Sequence, residues 1–147
     1  MKKNLILSLL VFVLGFGLKA QVVKVPDAAK KHFASKYPKA DKVDWSNNVA
    51  YETVTFVSGG KSYKAFYDLD GKWTHAESEI TDADLPAAVK DGLAKSKYAN
   101  WPVKDLAWLE VSKGVQYRIH VKKDITNDRY LVFDKSGQLV NDNVTLD

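Results

Sequence analysis

Two periods alternate along this chain. Ala29, Phe33 and Tyr37 recur at every fourth position, which is one face of a helix, while Lys30, Lys31 and Lys36 lie off that stripe. Pro26 suits the first helical turn, where its missing N–H would be unsatisfied anyway, and Pro38 stops the helix. The period then falls to two. Four strands are predicted, at Lys42–Ser46, Val49–Val57, Ser62–Tyr67 and Lys72–Ser78. Asn47-Asn48, Ser58-Gly59-Gly60-Lys61 and Asp68–Gly71 supply the turns between them. The order is a helix followed by an antiparallel meander.

That order then repeats. Thr81–Asp84 is a polar break, Leu85-Pro86 echoes Val25-Pro26, and Val89 and Leu93 stand where Ala29 and Phe33 stood. Asn100-Trp101-Pro102 ends the second helical region. Strands are predicted at Val103–Val111, Val115–Lys122, Arg129–Asp134 and Gln138–Val144. Pro26 and Pro86 are 60 positions apart, Trp45 and Trp108 are 63 apart, and Tyr51/Tyr117, Asp68/Asp134 and Gly71/Gly137 are each 66 apart. A separation that grows in one direction is what a duplication with loop insertions leaves. The expected fold is α+β: two tandem repeats, each a helix packed on a four-stranded antiparallel meander. Residues 1–20 form a leader, 21–80 the first repeat and 81–147 the second, the two repeats making one compact unit from two similar sheets side by side.

The second repeat has a clean alternation. Val115, Tyr117, Ile119 and Val121 should face the helix, and Gln116, Arg118, His120 and Lys122 the open side. In the first repeat two criteria disagree. Repeat alignment puts Tyr51, Thr53, Thr55 and Val57 inside and Glu52, Val54 and Phe56 outside. Hydrophobicity puts Val54 and Phe56 inside, which requires a register difference such as a bulge. An apolar open face would mark a binding surface.

Composition changes the picture at the N-terminus. Met1-Lys2-Lys3, the 13-residue apolar run Leu5–Gly17 and Leu18-Lys19-Ala20 have the order of a secretory signal peptide cleaved near Ala20. The run is short of the roughly 20 residues a membrane-spanning helix needs, so no stable membrane insertion is expected once the leader is removed. Lys2, Lys3 and Lys19 leave with the leader, and the 22 basic residues become 19 against 18 acidic ones. That balance leaves no basic stripe for nucleic acid. The chain has no cysteine, so an exported fold here is held without disulfides and has neither thiol catalysis nor a lipid anchor on a first mature Cys. A periplasmic or secreted location is expected.

Candidate chemistry is sparse. His32, His75 and His120 fall on separate elements without metal-ligand spacing. Nucleophile elbows, phosphate-cradling loops and zinc-protease helices are absent. Asp68-x-Asp70-Gly71 resembles part of a calcium loop, but Lys72 stands where an oxygen ligand is required and the Gly comes two places early. It reads as a turn. No cofactor and no metal are expected, and the carboxylates Glu77, Glu79, Asp82 and Asp84 read as a solvated joint.

Val25-Pro26, Tyr37-Pro38, Val43-x-Trp45, Phe66–Trp73 and Leu85–Val89 resemble the PepSY-like secreted proteins of Gram-negative bacteria, also described as β-lactamase-inhibitor-protein-like. The second copy departs from these motifs, since Val132–Leu139 lacks both the Asp-Gly pair and the Trp. The resemblance implies tandem helix-plus-sheet units, a periplasmic or outer-surface location, no catalytic residues, and binding of an enzyme through the open sheet face. The expectation is a non-enzymatic module that binds an envelope or secreted protein, such as a hydrolase, through Val54, Phe56, Arg118 and His120, with Trp73 and Trp101 as anchors. The alternative is a small-ligand or glycan site on Trp73 and Trp101. A third reading, an envelope-stress or metal-buffering protein, has scattered histidines and missing thiols against it.

Overall fold

A computed structural model describes residues 24–143. The leader, its cleavage point and the end of the last predicted strand lie outside the described residues. Helix α1 (Asp27–Lys36) precedes strands β1 (Asp41–Asn47), β2 (Glu52–Ser58), β3 (Lys61–Tyr67) and β4 (Trp73–Glu79). A 3-10 turn (Asp82–Asp84) and helix α2 (Ala87–Ala94) lead to β5 (Val103–Val111), β6 (Gly114–Lys122), β7 (Asp128–Asp134) and β8 (Leu139–Asn143).

All eight strands form one antiparallel sheet in chain order, β1 to β8. This corrects the expectation of two sheets side by side. Strand β4 pairs with β5 from His75 opposite Val111 to Glu79 opposite Ala107. Two separate sheets would each leave an edge of unpaired N–H and C=O groups at that point, and pairing them satisfies both edges.

Both helices lie on the same face of the sheet and cover separate cores. Val25, Ala29 and Phe33 pack with Val54, Phe56, Ala65, Tyr67 and Ala76. Leu85, Val89 and Tyr98 pack with Ile119, Val121, Leu131 and Phe133. The Asp68–Gly71 and Asp134–Gly137 turns fix where each helix sits. In both, Asp accepts a hydrogen bond from the Gly amide, at 2.9 and 3.0 Å, and its side chain caps the following backbone. Gly71 has φ +82°, and a Cβ there would lie 2.9 Å from the Ala29 amide nitrogen. Gly137 has φ +85°, and a Cβ would lie 2.0 Å from the Ala88 carbonyl oxygen. The turns therefore touch the first turns of α1 and α2 directly, an approach that only glycine allows.

The structure decides between the two criteria for the first repeat: hydrophobicity places Val54 and Phe56 inside, as they are, and the repeat alignment that puts them on the open face is overturned. Val54 is fully buried and Phe56 is 2% exposed, both under α1. Glu52 lies on the same side, with its Oε1 accepting from Asn47 Nδ2. The cause is hairpin length. Two residues join β2 to β3 and five join β6 to β7, an odd difference, so a constant separation misaligns the faces. Val54 pairs with Ala65 as Ile119 pairs with Leu131, which sets Val54 against Ile119, not against His120. Likewise Trp45 lies opposite Val54, whereas Trp108 lies opposite Tyr117. The two tryptophans therefore hold different places in their hairpins.

Candidate functional site on the helix-free sheet face

With the registers known, the side chains on the uncovered face follow in rows across the strands. Thr53, Phe66, His75 and Val111 lie side by side on β2 to β5. Asp105, His120, Tyr130 and Asn143 do so on β5 to β8. Between these rows lie Glu77 beside Leu109, and Ala107 beside Arg118 and Val132. Phe66 and Tyr130 face outward because their neighbours Ala65, Tyr67, Leu131 and Phe133 face the cores.

Two stacked pairs flank one ion pair. The Phe66 and His75 rings are 4.2 Å apart and 10° from parallel. The His120 and Tyr130 rings are 4.3 Å apart at 18°. Between them Arg118 Nη1 donates to Glu77 Oε2 at 2.7 Å, reaching from β6 over β5 to β4. The small side chain of Ala107 and the covered Leu109 leave room for that reach. The guanidinium also lies 5.9 Å from the Tyr130 ring centroid. Tyr51, which is 42% exposed, extends the band beside Phe66 at 5.8 Å.

Charges in this band are fixed in place. The Arg118 side chain is 13% exposed and that of Glu77 is 23%. Arg118 Nε is covered and has no hydrogen-bond partner; an orphaned buried donor costs about 1–3 kcal/mol. Burial first, and then the nearby Arg118 charge, hold the His75 pKa below its ordinary value, against an opposing pull from Glu77. Both His120 ring nitrogens meet carboxylates, Nδ1 at 2.6 Å from Asp105 and Nε2 at 2.7 Å from Asp128. Lys122 completes this cluster on Asp128 at 2.5 Å.

Two hollows open along the band. One, of about 460 Å³, is lined by Tyr51, Lys64, Phe66, Thr74, His75, Glu77 and Arg118. The other, of about 240 Å³, shares Thr74, His75 and Arg118 and continues past Tyr130 to β8. A third hollow, of about 790 Å³, lies where β3 and β4 diverge, and it too reaches Arg118.

Of the six residues expected from the sequence, only Arg118 and His120 lie on this face. Val54 and Phe56 are core. Trp73 packs against the first core with Lys36 Nζ 4.6 Å above its ring. Trp101 packs against the second core, perpendicular to Tyr98. The two rings thus belong to different clusters on the helix-covered side and form no common platform. Tyr51, Phe66, His75, Glu77 and Tyr130 were missed. Outward aromatics within alternating strands were the available signal. Among the described residues, no group of three or more His, Cys, Asp or Glu is placed to hold a metal ion. Asp68 Oδ1 instead accepts from the Asp70 and Lys72 amides, at 3.1 and 2.8 Å, as the turn reading expects.

A family model described as "Putative beta-lactamase-inhibitor-like, PepSY-like" matches residues 50–141, well over half of the chain. Among solved structures, a BLIP-like protein from Bacteroides fragilis is 22% identical with a TM-score of 0.72, over 84% of this chain and 88% of that one. A DUF2874 family protein from Bacteroides ovatus is 24% identical with a TM-score of 0.70, over 82% and 87%. A protein from Bacteroides eggerthii described as "putative periplasmic" is 23% identical with a TM-score of 0.66, over 82% and 88%. These likenesses show a shared fold. No protein of curated function matches the chain. By the match over residues 50–141, the chain belongs to the PepSY-like, β-lactamase-inhibitor-like family.

Proposed function

We propose that this chain is an exported, non-catalytic module that binds another extracytoplasmic protein through its helix-free sheet face, in the manner of an enzyme inhibitor. One observation carries the reading. The band Tyr51, Phe66, His75, Arg118, Tyr130 and His120 crosses the sheet without a helix over it. Aromatic rings and an arginine held against each other are the side chains that dominate protein interfaces. Their stacking fixes the rotamers in advance, so binding loses little side-chain entropy. The family description and the BLIP-like neighbour support an inhibitor-like role, and a hydrolase is the corresponding partner. An exported location is supported by the leader-like sequence and by the neighbour described as periplasmic. No described helix is long and apolar enough to cross a membrane. Units 21–80 and 81–147 are read as tandem copies, on the matching turns, helix contacts and strand pairings of the two halves.

The test is capture of a partner from envelope extract with the mature protein and with two variants. Phe66→Lys, on the open face, should abolish capture. Lys30→Glu, on the outer side of α1, should leave it intact. Capture that survives Phe66→Lys and fails with Lys30→Glu would move the interface to the helix side and overturn the reading.

A further inference from the structure

We infer that Arg118 and Lys64 form a carboxylate receptor within the open face, taking an aspartate or glutamate side chain from a loop of the bound protein. This rests on the open-face reading and names the chemistry of its partner. Arg118 is nearly covered, yet among the described residues it makes one hydrogen bond, to Glu77 at 2.7 Å. Its Nε–H is unused. A guanidinium has five donors in a fixed fork suited to two oxygens at once. Lys64 borders the same hollow with its Nζ 5.3 Å from the Phe66 ring centroid, and among the described residues no carboxylate lies within 4.0 Å of it. Lys64 and Arg118 against Glu77 leave the hollow one positive charge in excess.

His75 adds no second positive charge near neutral pH, because burial and Arg118 disfavour its protonation. One surplus charge matches one carboxylate and falls short of a phosphate dianion. The walls of Tyr51, Phe66 and His75 suit a carboxylate with an apolar or aromatic neighbour, and they exclude the water that would otherwise screen the pair. Glu77 holds the guanidinium in place before the second carboxylate arrives, so the fork is preorganised.

The test uses two capped tetrapeptides, acetyl-Gly-Asp-Phe-Gly-amide and acetyl-Gly-Asn-Phe-Gly-amide, titrated into the mature protein and followed by NMR. The Arg118 Nε–H resonance and the His75 ring should shift saturably with the aspartyl peptide, with the asparaginyl peptide at least about tenfold weaker, the scale of one charge-assisted pair. Arg118→Lys keeps the charge and loses the fork, and should erase the difference while leaving the backbone spectrum folded. Lys64→Gln should weaken the aspartyl peptide several-fold. Equal binding of the two peptides, tighter binding of inorganic phosphate than of acetate, or discrimination that survives Arg118→Lys would each overturn the receptor. The two readings fail separately: capture lost with Phe66→Lys but kept with Arg118→Lys removes the carboxylate receptor and leaves the face, whereas capture kept with Phe66→Lys and lost with Lys30→Glu removes the face.

Discussion

At the scale of single residues, the two sides of β2 and β3 make opposite demands. Phe56 fills the first core against Phe33 and Tyr37, with ring centroids 5.1 and 4.6 Å away. Phe56→Ala should cost about 3–5 kcal/mol in urea unfolding, as large-to-small core changes do. Phe66→Ala removes an outward ring and should cost less than about 1.5 kcal/mol, with its effect seen in partner capture. His75 sets a pH dependence. Its folded pKa lies below the unfolded value near 6.5. Above that value both states are neutral and the group contributes nothing. As pH falls through it, the unfolded chain takes up the proton first, so stability declines toward acid. His32, whose pKa is also lowered, mainly by burial, acts in the same direction. His75→Gln should therefore flatten, but not abolish, the fall in unfolding free energy between pH 7 and 5. Arg118 and His120 were legible in the sequence because β6 alternates cleanly. Val54 and Phe56 were misplaced because strand parity flips with each single-residue change in register, and a constant separation of 66 ignores the β2–β3 and β6–β7 loops, which differ by an odd number of residues.

At the scale of elements, the glycine turns are joints between hairpin and helix as well as chain reversals. Gly59 and Gly137 both have positive φ, but a Cβ at Gly59 would meet nothing within 4 Å while one at Gly137 would collide with the Ala88 carbonyl. Gly59→Ala should cost only the backbone strain, about 1–2 kcal/mol. Gly137→Ala adds displacement of α2 and should cost about 2–5 kcal/mol, combining that strain with overpacking. Paired urea titrations with a common m-value would measure the difference. The strands and helices themselves were close to fully legible. Pro26 and Pro86 stand immediately before α1 and α2, and the predicted Val103–Val111 strand matches β5 end to end. Short apolar alternation bounded by Gly, Asn and Pro determines elements locally. Gly92 was not legible. It sits inside α2, and its reason is the Gly137 carbonyl 2.1 Å from where its Cβ would be, a contact 45 positions away in the chain.

At the scale of the whole molecule, the joining of β4 to β5 turns two small units into one surface. Contacts besides the sheet also cross the joint: Lys36 to Glu110 at 2.7 Å, Tyr63 against Trp108 at 5.9 Å, and Arg118 to Glu77. Thermal unfolding should accordingly be one cooperative transition, with calorimetric and van't Hoff enthalpies equal; two resolved transitions would mean that the halves fold separately. The sequence pointed to two helix-covered meanders but not to their joining, because pairing of one strand edge with another depends on backbone groups common to every residue. The open band was illegible for a related reason. Tyr51, Phe66, His75, Arg118 and Tyr130 come from four strands and a loop, and only the registers bring them together. The central claim is that this band is the binding surface. Its most direct measurement is photo-crosslinking in the native host, with a benzophenone amino acid placed singly at Tyr51, Tyr130 or Tyr63. The account predicts one common protein adduct from Tyr51 and Tyr130, on the helix-free face, and none from Tyr63, on the helix-covered face. An adduct confined to Tyr63 would contradict it.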